Sequence, residues 1–122
     1  MDGRFWTGIS EFNAGRFFEE HEVLEDLWHE YRETDRTFLQ GLIQLSAGFY
    51  HAQCRNLRGA ESQLSKAIAK LEVYGPLHAS VQLSGLLRDA REYLLEVQNG
   101  LKSSSGNWER SPFPRIQSMA IE

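Results

Sequence analysis

The densest group of chemically capable side chains lies in FNAGRFFEEHEVLEDLW, Phe12 to Trp28, where His21, Glu22 and Glu25 stand among Phe17, Leu24 and Trp28. His21 and Glu25 are four apart, a spacing that on a helix brings an imidazole beside a carboxylate. Three chemistries are open to such a pair. As divalent-metal ligands, His21 and Glu25 would supply part of a set, because HEVLE has the outline of the H-E-x-x-H zinc helix with Glu25 in place of its second histidine. Further ligands would then come from His51, His29 or a carboxylate elsewhere. As an acid–base or binding site, Glu25 would orient His21 toward a pocket near Tyr50. As a structural device, the pair would satisfy a buried imidazole and thereby specify core packing. The residue three before His21 is Phe18, so the Glu-x-x-His arrangement of di-iron bundles is missing. Cys54 and Ser46 have no nucleophile's partner marked out by spacing. The candidate polar cluster is therefore His21, Glu22, Glu25, Gln44, Tyr50 and His51.

Helical periodicity would position these groups. Phe17, His21, Leu24, Trp28 and Tyr31 recur at steps of four and three, which predicts an amphipathic helix from Arg16 to about Arg32 with His21 in the middle of its apolar stripe. Glu25 falls at the edge of that stripe beside Phe18, while Glu19, Glu22, Asp26 and Glu30 point to solvent. A short helical turn carrying Phe5, Trp6, Ile9 and Phe12 precedes it and ends at Gly15. Thr34 and Asp35 supply an N-cap for a helix from Arg36 to Gln53, whose wide apolar arc marks a central helix touching several neighbours. Gly41 and Gly48, seven apart on one side, suit close approach of another backbone. Asn56 caps a helix from Leu57 to Val73, which Gly75-Pro76 stops. A linker leads to a last helix, Ser84 to Asn99, with Gly100 as its left-handed terminator. Short connections make consecutive helices antiparallel neighbours. The expected fold is all-α: a single-domain antiparallel bundle or irregular array of four main helices with a short N-terminal helix over residues 1–101, and an extended tail over 102–122. Pro112 and Pro114 bar a helix there, and Trp108, Phe113 and Ile116 suggest a tail laid against this chain or a partner.

Composition narrows the function classes. A chain of 122 residues has room for one core. It contains no apolar run near the roughly 18 residues of a membrane span, so no membrane partner is expected. The net charge of −4 comes from interspersed charges with no basic block, which disfavours nucleic acid. Cys54 is the only cysteine, leaving no internal disulfide. With no secretory pattern at the N-terminus, the cytosol, or a plastid stroma after loss of a transit peptide, is the expected location. A nucleotide cofactor has no support, because neither a phosphate loop nor a dinucleotide fingerprint is present.

The pieces FNAGRFFEEHEVLEDLW, FLQGLIQLSAGFYH at Phe38 to His51 and NLRGA at Asn56 to Ala60 resemble the domain-of-unknown-function 309 family. The resemblance covers about half the chain and implies an all-helical domain but no activity. Carried over by position, its polar signature falls on His21, Glu22 and Glu25 with Trp28, on Gln44 and on Asn56, while His29 departs from a more usual basic residue. Two functions of different class follow. A binding or scaffold module would engage a protein partner or a second copy through a helix face or the tail, with the His/Glu cluster specifying the core. A small hydrolase-like or metal- or ligand-binding domain would use His21 and Glu25 directly, and a pocket reaching them from solvent is what separates the two.

Overall fold

The chain breaks where its residues favour a break. Gly15, at φ 76°, ends the first helical segment in the left-handed region open to glycine. The Asn56 side chain accepts the Gly59 N–H at 3.0 Å and so starts another helix. The computed structural model describes residues 3–30, 35–103 and 112–117. Its elements are α1 (Gly3–Asn13), α2 (Phe17–Glu30), α3 (Asp35–Gln53), α4 (Leu57–Leu71), an antiparallel hairpin of β1 (Leu77–His78) and β2 (Val81–Gln82), and α5 (Leu83–Lys102). Apart from that hairpin the described fold is all-α. Each helix packs on the next in sequence.

The core is built around α3, which buries Phe38, Leu42, Leu45 and Phe49 along its length. The Phe49 ring lies 5.8 Å from Phe12, 5.5 Å from Phe17 and 5.1 Å from Tyr93, so aromatics from α1, α2 and α5 meet on one side chain. On another side of α3 the two expected glycines admit α4. A Cβ at Gly41 would lie 2.7 Å from the Leu71 side chain, and one at Gly48 would lie 2.7 Å from Leu64 and 3.2 Å from its backbone nitrogen.

Three expectations need correction. The buried row of α2 is Phe17, Glu20, Leu24 and Leu27 rather than Phe17, His21, Leu24 and Trp28; Tyr31 and Thr34 lie outside the described residues. Both rows satisfy helical spacing, and the choice is made by packing, since Leu24 seats against Gly8 of α1 and turns His21 and Trp28 to the edge of the stripe. Gly100 does not stop α5, which runs on to Lys102 because Leu101 still packs against the core. The expected linker after Pro76 contains the hairpin. Its two turn residues, Ala79 (φ 50°) and Ser80 (φ 64°), both take the left-handed conformation that such a two-residue turn demands, without the usual Asn or Gly.

The described part of the tail, residues 112–117, lies extended on the bundle. Phe113 enters the aromatic core 5.0 Å from Phe17, 5.5 Å from Phe49 and stacked 5.4 Å from Tyr93. Ile116 is also buried. The Asn13 side-chain amide reads the Ile116 backbone twice: its Nδ2 donates to the carbonyl at 3.0 Å and its Oδ1 accepts the N–H at 2.7 Å. The Gln82 N–H donates to the Gln117 carbonyl at 2.8 Å. Trp108, expected to dock with them, lies outside the described residues. Burying Ile116 contributes about 1.5–3 kcal/mol and the partly buried Phe113 no more than that, with each hydrogen bond adding about 0.5–1.5 kcal/mol. Fixing six backbones costs about 1–2 kcal/mol per residue. The two sides are of similar size, so the segment's hold is modest.

Gly48→Leu tests the close crossing of α3 and α4. It should lower the free energy of unfolding by at least about 1–3 kcal/mol, the range for overpacking. An unchanged midpoint in chemical denaturation would remove Gly48 from the interface.

Candidate functional site

The rotation of α2 decides what becomes of His21 and Glu25. They do pair, with His21 Nε2 3.2 Å from Glu25 Oε2, yet their side chains are 37% and 43% exposed and stand outside the core. His29 approaches the other Glu25 oxygen at 3.8 Å from a more exposed position. His21, Glu25 and Trp28 form one wall of an open pocket of about 260 Å³; Gln40, Ile43, Gln44 and Ala47 of α3 form the opposite wall, and Gln63 of α4 closes an end. On α3 these residues recur at i, i+3, i+4 and i+7, which is one helix face. Trp28 is held by Arg36, whose guanidinium carbon lies 3.9 Å from the ring centre. Trp28 Nε1 and Gln44 Oε1, a donor and an acceptor in opposite walls, are covered and make no hydrogen bond.

The rest of the expected cluster is dispersed. Glu22 is exposed and does not line the pocket. Tyr50, expected beside the imidazole, is instead on the surface with its ring 5.8 Å from Phe18. Its phenol is raised above the usual range, chiefly by a hydrogen bond with Cys54 one turn on and less by the charges of Cys54 and Glu19. His51, in the last turn of α3, lies against the cap of α4, where Asn56 Nδ2 is 3.2 Å from its Nδ1; the ring nitrogen accepts, which puts a neutral imidazole's proton on Nε2. Among the described residues no group of three or more His, Cys, Asp or Glu is placed to hold a metal ion.

Two polar features have little signal in the sequence. Glu20 is 1% exposed in the buried row of α2, and neither carboxyl oxygen has a hydrogen-bond partner of normal geometry. Burial pushes its carboxyl well above the ordinary value of 4.5, while nearby Ser46 acts against that shift. The help from Ser46 is small. Its single hydroxyl proton already goes to the Leu42 carbonyl at 3.0 Å, so Ser46 can offer Glu20 a lone pair but no proton. Burial therefore favours the protonated form of Glu20 over the carboxylate. The other feature is His78 Nε2, 2.8 Å from Asp35 Oδ1, with the imidazole 4.5 Å from both Phe38 and Tyr74. This contact fastens the hairpin to the first turn of α3. The pair is 43 residues apart in the chain, and no local pattern announces it.

Residues 5–63 match the model of a family described as "Domain of unknown function (DUF309)". Over these residues the chain is similar to that family. They include α1, α2, α3 and the first part of α4, and every residue lining the pocket falls among them. The chain is also similar to the uncharacterized protein YpuF of Bacillus subtilis (strain 168), with 36% identity over 80 residues, 64% of this chain and 44% of that protein. The chain thus spans less than half the length of this curated relative. A larger groove of about 800 Å³ between α5 and the tail contains none of the expected site residues and lies outside the family match. Among the described residues no helix is long and apolar enough to cross a membrane.

Two measurements check this description. Glu20 binds a proton in the folded state at pH values where the unfolded chain has released it, so this group lowers stability as pH rises above about 4.5. Glu20→Gln should therefore gain on the natural protein by about 1.4 kcal/mol per pH unit in that window, up to the folded protein's own pKa, with a constant difference below it. Parallel stability–pH profiles would make Glu20 an ordinary carboxylate. Because the His21–Glu25 pair is partly exposed, Glu25→Gln and Glu22→Gln should differ by no more than about 1 kcal/mol in chemical denaturation. A much larger loss for Glu25→Gln would return the pair to a buried network.

Proposed function

We propose that the domain is a binding module whose recognition pocket is the concavity at the α2–α3–α4 junction. The observation that carries this is convergence: a His–Glu pair, three glutamine side chains and an indole edge face one opening over an Ile43 and Ala47 lining. At about 260 Å³ the pocket is smaller than the roughly 300–1,000 Å³ that drug-sized ligands occupy. It fits one polar side chain of a partner protein, or a free group of that size. Acceptors dominate, with the Glu25 carboxylate and glutamine carbonyls and no Lys or Arg in the lining, so the group should be a hydrogen-bond donor, neutral or cationic. The His21–Glu25 contact could also orient an imidazole for acid–base work. Binding is preferred because the lining contains no Ser, Thr, Cys or Lys to act as a nucleophile. The module would work in a reducing compartment, the cytosol or a plastid stroma, where exposed Cys54 stays a thiol.

The test is NMR titration of the 15N-labelled protein with N-acetyl-lysine methylamide and N-acetyl-glutamine methylamide as side-chain probes. Saturable shifts should centre on the Trp28 indole N–H and the side-chain amides of Gln40, Gln44 and Gln63. They should weaken at least tenfold in Glu25→Gln, an exchange that keeps the side chain's shape. Shifts centred elsewhere, or none at millimolar probe, would overturn the proposal.

A further inference from the structure

The tail contact has the parts of a peptide-recognition site, although here the peptide is the chain's own. A side-chain amide that both donates to and accepts from one residue's backbone reads an extended chain without regard to its side chain, and Asn13 does this to Ile116. The Gln82 N–H continues the backbone pairing from β2. Side-chain selectivity is separate and sits in two places. A slot between Phe17, Phe49 and Tyr93 takes the Phe113 ring, and a buried position takes Ile116 three residues on. Pro112 and Pro114 flank the aromatic and predispose the segment to the extended form the groove accepts. Arg115 between the two anchors is exposed, so that position is not read.

We infer that this groove is a recognition site for extended protein segments, occupied in the resting molecule by residues 112–117 and opened to a partner by exchange. The partner supplies a proline-flanked aromatic with an aliphatic residue three positions later. A second copy is a poor candidate for that partner. Its tail brings the same contacts the resident tail makes, and a tethered segment has an effective concentration in the millimolar range, so the cis tail wins at ordinary protein concentrations. A segment from another protein can carry the same anchors together with contacts beyond them. The tail then sets a threshold, since only a ligand that outbids it is admitted. This inference does not depend on the α2–α3–α4 pocket, which shares no residue with the groove.

The experiment uses the full chain with Phe113→Ala and Ile116→Ala, which removes the resident anchors and leaves the groove intact. The probe is a fluorescein-labelled peptide, Ser-Pro-Phe-Pro-Arg-Ile-Gln, followed by anisotropy, with a peptide bearing Ala for Phe as control. Binding should be at least tenfold tighter to the variant than to the natural chain, and should be lost with the control peptide and on adding Asn13→Ala. Equal binding to both proteins, or none to a variant whose circular dichroism is native, would overturn the inference. If the variant does not fold, hydrogen exchange on the natural chain decides. The Ile116 amide should exchange at least a hundredfold faster than the amides of Leu42 and Leu45, and faster still with millimolar peptide. Exchange as slow as in α3 would show a tail that never opens. A natural chain that dimerises with concentration through its tail would give the groove to a second copy and also overturn the choice of partner.

Discussion

The position of Phe49 constrains nearly everything else in the molecule. Its ring receives Phe12 from α1, Phe17 from α2, Tyr93 from α5 and Phe113 from the tail. Four separate segments therefore have to present an aromatic to one site at the same time. That requirement fixes the height of α2 along α3 and the turn at Gly15 that brings Phe12 and Phe17 together. Edge-on ring contacts are directional, each contributing about 0.5–1.5 kcal/mol beyond area burial, so the cluster favours one arrangement of the segments over near alternatives. Gly48, the residue just before Phe49, lets α4 come close enough to enclose the other side of α3.

Much of this was legible in the residues. The five helical segments, the wide buried arc of α3, the Asn56 cap, the glycine crossing and the docking of Phe113 and Ile116 each follow from a local cue: a period, a capping side chain, a missing Cβ or a proline-bounded apolar group. What was not legible is which of two equally periodic rows on α2 turns inward. The row with His21 and Trp28 carries an indole, and the row with Leu27 carries a carboxylic acid at Glu20, so hydropathy alone selects the wrong one. Burial favours the uncharged form of that carboxyl, and an amino-acid letter does not specify protonation. The hairpin was hidden for a related reason, since Ala79 and Ser80 take a conformation their side chains disfavour and the surrounding contacts hold them there.

The rotation of α2 also explains how a pocket can exist in so small a domain. With Leu24 and Leu27 turned to the core, the His21, Glu25 and Trp28 row is left on the flank, opposite the Gln40, Gln44 and Ala47 flank of α3. Neither flank is apolar enough to close against the other, and polar side chains are held apart as an opening. The expected core device and the observed pocket thus use the same residues, and the two inward rows, which share Phe17 and Leu24, have centres only about 50° apart on a helix of 3.6 residues per turn.

The Asn13 clamp joins residues 103 positions apart, and this has a bearing on how the protein is made. At about 5–20 residues per second, Ile116 follows Phe49 off the ribosome's catalytic centre by roughly 3–13 s. The helices carrying Phe12, Phe17 and Phe49 can associate within a small fraction of that time. For those seconds the nascent bundle presents an uncovered aromatic face. The same face that the finished chain seals with its own tail is therefore one that a chaperone could meet first, and sealing marks the change from a sticky intermediate to a finished surface.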